Sequence, residues 1–130
     1  MKDFKELLQS ADWKSEKHVP VIELSEKVEK DKSIKISVCV GKEIPHPNTT
    51  AHHICWIDLY FNPKDEKFPY QIGKLQFAAH GASVQGGDTS TVYTQPEGCL
   101  TFKTSKSGTI YAMSYCNIHG LWANSAELKF

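Results

Sequence analysis

The chain has 130 residues with 40% hydrophobic and 11% aromatic content, enough for a two-layer core without disulfide or metal staples. Fifteen basic residues balance fifteen acidic ones, which excludes the global field that grips nucleic acid or anionic membrane; any steering of a charged ligand must be local. No low-complexity segment or Pro/Gly-rich linker divides residues 1–130, so a single domain is expected.

Met1 to Leu8 lacks the apolar run of a secretory signal, and no stretch approaches the length needed to cross a bilayer, so a cytoplasmic protein is expected. Asp3 can cap a short helix in which Phe4, Leu7 and Leu8 share a face. Thereafter the pattern is of strands. Val19 to Ile22 is extended; Ile34, Ile36, Val38 and Val40 alternate with more polar neighbours, a half-buried strand closed by Gly41. Ile54 to Phe61 is apolar at nearly every position, as in a central strand covered on both faces, and Phe68 to Ala79 follows with Gly73 as a bulge. Leu100 to Lys103 alternates, then Lys106-Ser107-Gly108 turns into Thr109 to Tyr115, predicting a hairpin between those runs. Ala126, Leu128 and Phe130 alternate in a last strand. About seven short strands with almost no helical periodicity predict an all-β, immunoglobulin-like antiparallel β-sandwich with a short N-terminal helical segment, though without the Cys…Trp…Cys spacing of true immunoglobulin domains.

Cys39, Cys55, Cys99 and Cys116 show no C-x-x-C spacing and lie in or beside apolar runs; the first three are expected to be buried thiols. Cys116 differs, because His119 follows it across two residues, just after a strand-like run and before Gly120. A thiolate and an imidazole on one tight turn make a ligand pair. Upstream, His18 precedes Val19-Pro20, and His46 precedes Pro47, which forces extended backbone and places it on a loop. His52 and His53 open a strand, where neighbours face opposite ways, so at most one of them joins His46. Parity does not choose between them. His80, beside Gly81, is expected to play an ordinary surface or hydrogen-bonding role, as is whichever of the paired histidines is not chosen. Four imidazoles and one thiolate are too many ligands for structural zinc; they suit a transition metal with one coordination position left open.

At these residues the chain resembles superoxide reductase of the one-iron neelaredoxin type, in the desulfoferrodoxin superfamily. The resemblance rests on Asp12-Trp13-Lys14, Glu16 to Glu23, Gly41 to Thr50, Ala79-His80-Gly81, Val92-Tyr93-Thr94 and Ser114 to Trp122. It implies a mononuclear non-haem iron held in the plane by His18, His46, His52 and His119, with the sulfur of Cys116 on the axis, and so selects His52 over His53. It further implies that Lys17 lies over the open face and that Glu16 closes the sixth position when the iron is oxidised. The expected reaction is one-electron reduction of superoxide to hydrogen peroxide without release of oxygen, an oxygen-detoxifying activity. The cysteine-rich leading domain of two-iron relatives is not found in residues 1–130, so a separate electron donor, rubredoxin or a similar protein, is expected, together with a homotetramer. Ala51 stands where many relatives carry an acidic residue. The alternative, a cupredoxin-like copper electron-transfer protein, calls for a methionine soon after the last histidine; the chain offers only Met1 and Met113.

Overall fold

Alternation of branched apolar and polar residues along Ile34–Val40 puts Ile34, Ile36, Val38 and Val40 on one face, and in the computed structural model, which describes residues 1–130, all four are buried. They form strand β2 of a three-stranded sheet, between β1 (Pro20–Leu24) and β5 (Glu97–Phe102). The second sheet has the order β4-β3-β6-β7, with β3 Ile54–Pro63, β4 Tyr70–Gln76, β6 Gly108–Cys116 and β7 Gly120–Leu128. Every pairing is antiparallel. The chain changes sheet between β2 and β3, β4 and β5, and β5 and β6, giving the immunoglobulin-like sandwich expected from the sequence. Between the sheets, the β2 residues pack with Ile57, Leu59 and Phe61 of β3, Ile110 and Ala112 of β6 and Leu128 of β7. A single helical turn, α1 (Phe4–Leu7), is present as expected, with Glu6 bonding back to the Asp3 amide, but it buries none of its residues. No helix is long and apolar enough to cross a membrane.

Several boundaries and pairings differ from the sequence expectations. The run Leu100 to Lys103 and the run Thr109 to Tyr115 do not form a hairpin: β5 pairs with β2, and β6 pairs with β3 and β7. The Lys106-Ser107-Gly108 turn therefore carries the chain from one sheet to the other. β4 stops at Gln76 instead of Ala79. Its irregularity falls next to Gly73, where Leu59 pairs with Gly73 but Tyr60 pairs with Gln71. The last strand begins at Gly120 and ends at Leu128, leaving Phe130 outside it and exposed. Cys99 is exposed and Cys39 only half-buried, because on β5 and β2 those positions alternate outward with Glu97, Thr101 and Ser37; Cys55, also half-buried, sits at the irregularity between Ile54 and Trp56 of β3.

Antiparallel connectivity also decides where the chemistry gathers. The start of β1 pairs with the end of β2 (Pro20 with Val40), and the start of β3 pairs with the end of β6 (Ile54 with Cys116), which in turn faces the start of β7 (Gly120). The segment before β1, the β2–β3 connection and the β6–β7 turn thus meet at one end of the sandwich.

Candidate metal centre

Each meeting segment brings a histidine or cysteine by a local device. After β2, Gly41 takes a positive φ of 90°, and any Cβ there would lie 2.6 Å from the His46 amide nitrogen; glycine lets the loop fold back onto itself. The β6–β7 hairpin turn consists of Asn117, Ile118 and His119, with Gly120 at φ 79° returning the chain into β7. It sets His119 beside Cys116, the last residue of β6, whose side chain is fully buried. Before β1, the His18 carbonyl accepts a bond from the buried Ser114 hydroxyl (3.1 Å), and the His18 ring stacks on Trp122 at 5.1 Å.

The four rings form a closed quadrilateral. Centroids of His18 and His46 are 4.9 Å apart, His46 and His52 4.6 Å, His52 and His119 4.9 Å, and His119 and His18 4.5 Å; the His18–His52 diagonal is 6.0 Å. Ligand atoms of His18, His52, Cys116 and His119 all lie within 4.8 Å of one another. His119 Nδ1 is 3.1 Å from His18 Nε2, 3.2 Å from His52 Nε2 and 3.6 Å from Cys116 Sγ. One nitrogen cannot satisfy three such neighbours with a single proton, and lone pairs converging on one point are what a cation requires.

The outward-facing ring nitrogens fix which inner atoms remain free. His18 Nδ1 donates to Glu16 Oε1 at 2.6 Å, leaving Nε2 for the centre. His46 Nδ1 donates to the Pro47 carbonyl oxygen at 2.7 Å, and its Nε2 is buried with no hydrogen-bond partner. A buried, orphaned imidazole nitrogen beside three other converging rings is costly unless a ligand occupies the centre. The donor set fits a transition-metal ion: His18, His46 and His52 would ligate through Nε2, His119 through Nδ1 and Cys116 through its thiolate. Burial, opposed by the Pro47 bond and reinforced by the neighbouring charges of His18, His52 and Lys17, holds His46 at a pKa of about 4. Burial and the charges of His119, His18, Lys17 and His53 lower His52 as well. Both rings are therefore unprotonated and available at neutral pH. Because their folded-state pKa values lie below the unfolded value, the unfolded chain binds more protons as pH falls from about 6.5 toward 4. The metal-free protein is expected to lose stability across that window, a trend that denaturant titrations at successive pH values measure.

Glu16 is pushed up by burial, but the hydrogen bonds from the His18 ring and amide, with the charges of His18 and Lys17, outweigh this and hold its carboxyl below the ordinary range. It is a partner of His18 here and stands outside the close-set ligand atoms. Lys17, half-buried, is near enough for its charge to act on both His46 and His52.

The choice between the paired histidines has a structural cause. A bulge between Ile54 and Trp56 breaks the alternation, so Ile54 joins Ile57, Leu59 and Phe61 in the core, and face-sharing extrapolated from the strand back to His52 or His53 does not hold. His53 and His80 lie outside the cluster, His53 bonded to the Thr49 carbonyl oxygen and His80 set against Asn48, with the two rings stacked at 3.6 Å. Sequence reasoning left Asn117 without a role. Its amide group donates to the Ala51 carbonyl (2.9 Å) and accepts from the His53 amide (2.9 Å), so it straddles His52 and ties the two ligand-bearing loops together. Its position between Cys116 and His119 was the available signal. Asn117→Ala is expected to lower stability by about 1–3 kcal/mol, read from the denaturation midpoint. No methionine follows His119, and Met113 lies within β6 opposite Asp58 and Ala123, so nothing supports the copper electron-transfer reading.

The desulfoferrodoxin family profile matches residues 10–125. The chain is 56% identical over 124 residues to a superoxide reductase of Pyrococcus furiosus, covering 95% of this chain and 98% of that one. It is 47% identical over 120 residues to neelaredoxin of Megalodesulfovibrio gigas, covering 92% of each. Among solved structures, the reduced form of superoxide reductase (neelaredoxin) from Archaeoglobus fulgidus superimposes with a TM-score of 0.89 at 58% identity, covering 95% of this chain and 99% of that chain.

Proposed function

The chain belongs to the desulfoferrodoxin family, and from that premise we propose that it is a superoxide reductase, which reduces superoxide to hydrogen peroxide at a mononuclear non-haem iron held by His18, His46, His52, His119 and Cys116. The observation that carries this reading is the converging donor set: three histidines and a buried cysteine with ligand atoms within 4.8 Å, and the orphaned Nε2 of His46 beside them. Four imidazoles and a thiolate suit iron. Residues 1–130 act as one iron-binding domain.

Held by His18, His46, His52, His119 and Cys116, ferrous iron would supply the single electron. The protein does the rest. Lys17 draws the anionic substrate toward the cluster, a local field on a chain whose formal charge is zero. Its ammonium then orients the water that delivers protons to the departing product. Glu16 anchors the His18 ring through Nδ1 and makes Nε2 the more basic donor. In the oxidised state its carboxylate would serve as a further ligand. The His119 amide donates to the Cys116 sulfur at 3.4 Å, a bond that tunes the thiolate's donor strength. Re-reduction falls to a separate donor, rubredoxin or a similar small redox protein, in a cytoplasmic homotetramer that protects against oxidative stress.

The test is to follow superoxide consumption by the iron-loaded, pre-reduced protein with simultaneous oxygen detection. One peroxide per superoxide, with no oxygen evolved, is expected; oxygen in the ratio of dismutation contradicts the proposal.

A further inference from the structure

His46 and His52 lie on a connection that has neither helix nor strand to hold it. The backbone bond from the Thr49 amide to the His52 carbonyl oxygen (3.0 Å) and the Thr49 hydroxyl, which accepts from the His52 amide (3.0 Å), close only the second half of the loop. Thr50 is bonded to Asp88, and Asn117 to Ala51 and His53, in that same half. Around Asn48 the loop meets His80, outside the ligand set, in the connection between β4 and β5.

The His80 ring lies against three neighbours. Its Nε2 is 2.7 Å from the carbonyl oxygen of the buried Phe77 and its Nδ1 is 2.8 Å from Asn48 Oδ1. Both are acceptors, so the single N–H of a neutral ring bonds one of them and packs against the other. The amide nitrogen of Asn48 donates to the Thr94 carbonyl oxygen. Asn48, two residues beyond His46, is thus gripped between the two arms of the β4–β5 connection. Those arms are themselves joined by Thr94 bonding to the Ala79 carbonyl through both its amide and its hydroxyl. Finally, the face of the ring stacks on His53 with centroids 3.6 Å apart and planes within 6°. His53 is the covalent neighbour of His52, and its Nδ1 donates to the Thr49 carbonyl oxygen at 2.8 Å.

We infer that His80 is a positioning residue for the metal centre: through Asn48 at one end and His53 at the other, it sets the spacing of His46 and His52 without touching either ligand nitrogen. A flat ring with polar atoms on two edges is what the site demands. An amide side chain can supply an edge donor but not the stack, and a phenyl ring can replace the stack but supplies no donor. The inference rests on the iron-site reading above and adds a residue to it. Partners that orient ligands typically change metal affinity ten- to a hundredfold when removed.

The experiment compares wild-type chain, His80→Ala, His80→Gln and Asn48→Ala. Each is loaded with ferrous iron and challenged with a chelator, with cobalt(II) substitution giving an optical spectrum of the ligand field. His80→Ala is expected to weaken iron binding roughly ten- to a hundredfold and to shift the cobalt spectrum. His80→Gln should recover part of both, and the metal-free melting temperatures of the two variants should match. Asn48→Ala, which leaves the stack in place, should show a smaller loss and covers the case in which His80→Ala does not fold. Wild-type affinity and spectrum in a folded His80→Ala, or in Asn48→Ala if His80→Ala does not fold, overturn the inference. So does a loss that merely follows metal-free stability and is not relieved by glutamine. A wild-type chain that fails to bind iron overturns the site itself, a distinct result.

Discussion

Cys116→Ser is expected to keep the sandwich and lose superoxide reduction by at least about a hundredfold, the upper end of what removing even an indirect partner of a metal ligand costs. The thiol is fully buried at the end of β6, 3.6 Å from His119 Nδ1 and in reach of the His119 amide. Serine occupies nearly the same space, so the core around Ile54 has little reason to rearrange. The electronic consequence is large. An alcohol is a hard, weakly acidic donor, whereas a thiolate would push electron density onto a bound metal and loosen its hold on the product. Stopped-flow kinetics with superoxide, beside metal analysis, separates the two contributions: iron content should fall modestly and the rate steeply. Full activity in Cys116→Ser removes the sulfur from the chemistry.

Lys17→Ala should slow the second-order reaction with superoxide by about tenfold or more while iron remains bound, because a focused local charge raises anion encounter rates by roughly 10 to 10³. Its ammonium is a positive charge felt by both His46 and His52. With balanced charge over the rest of the chain, no distant field replaces it. The dependence of rate on ionic strength should flatten in the same variant, since screening acts on the attraction that has been deleted. Lys17→Arg should restore the salt dependence. Unchanged kinetics in Lys17→Ala across a range of salt takes this residue out of substrate capture.

Much of this was visible in the chain itself, for identifiable reasons. The β2 alternation and the apolar β3 run are burial patterns written at period two, and both strands appear where expected. The Cys116–His119 turn was legible because ligand spacing on a hairpin is local. Pairing was not: the separation of β5 from β6 depends on which sheet covers which, and a turn signal such as Lys106-Ser107-Gly108 serves a sheet crossover as well as a hairpin. The bulge before Trp56 broke the parity on which the choice between His52 and His53 would have rested. Burial of Cys39 and Cys99 was misjudged because apolar context along a strand does not say which face a thiol takes. The supporting partners Asn117, Asn48 and His80 are individually ordinary polar residues. Their roles arise chiefly from contacts spanning 27 to 66 positions, which no local pattern encodes.

Iron-edge X-ray absorption on the ferrous protein measures the central claim most directly, since it counts the atoms around the metal. One sulfur scatterer, lost in Cys116→Ser, together with a shell of imidazole nitrogens is the expected result; a centre without sulfur, or one unaltered by that substitution, contradicts the account.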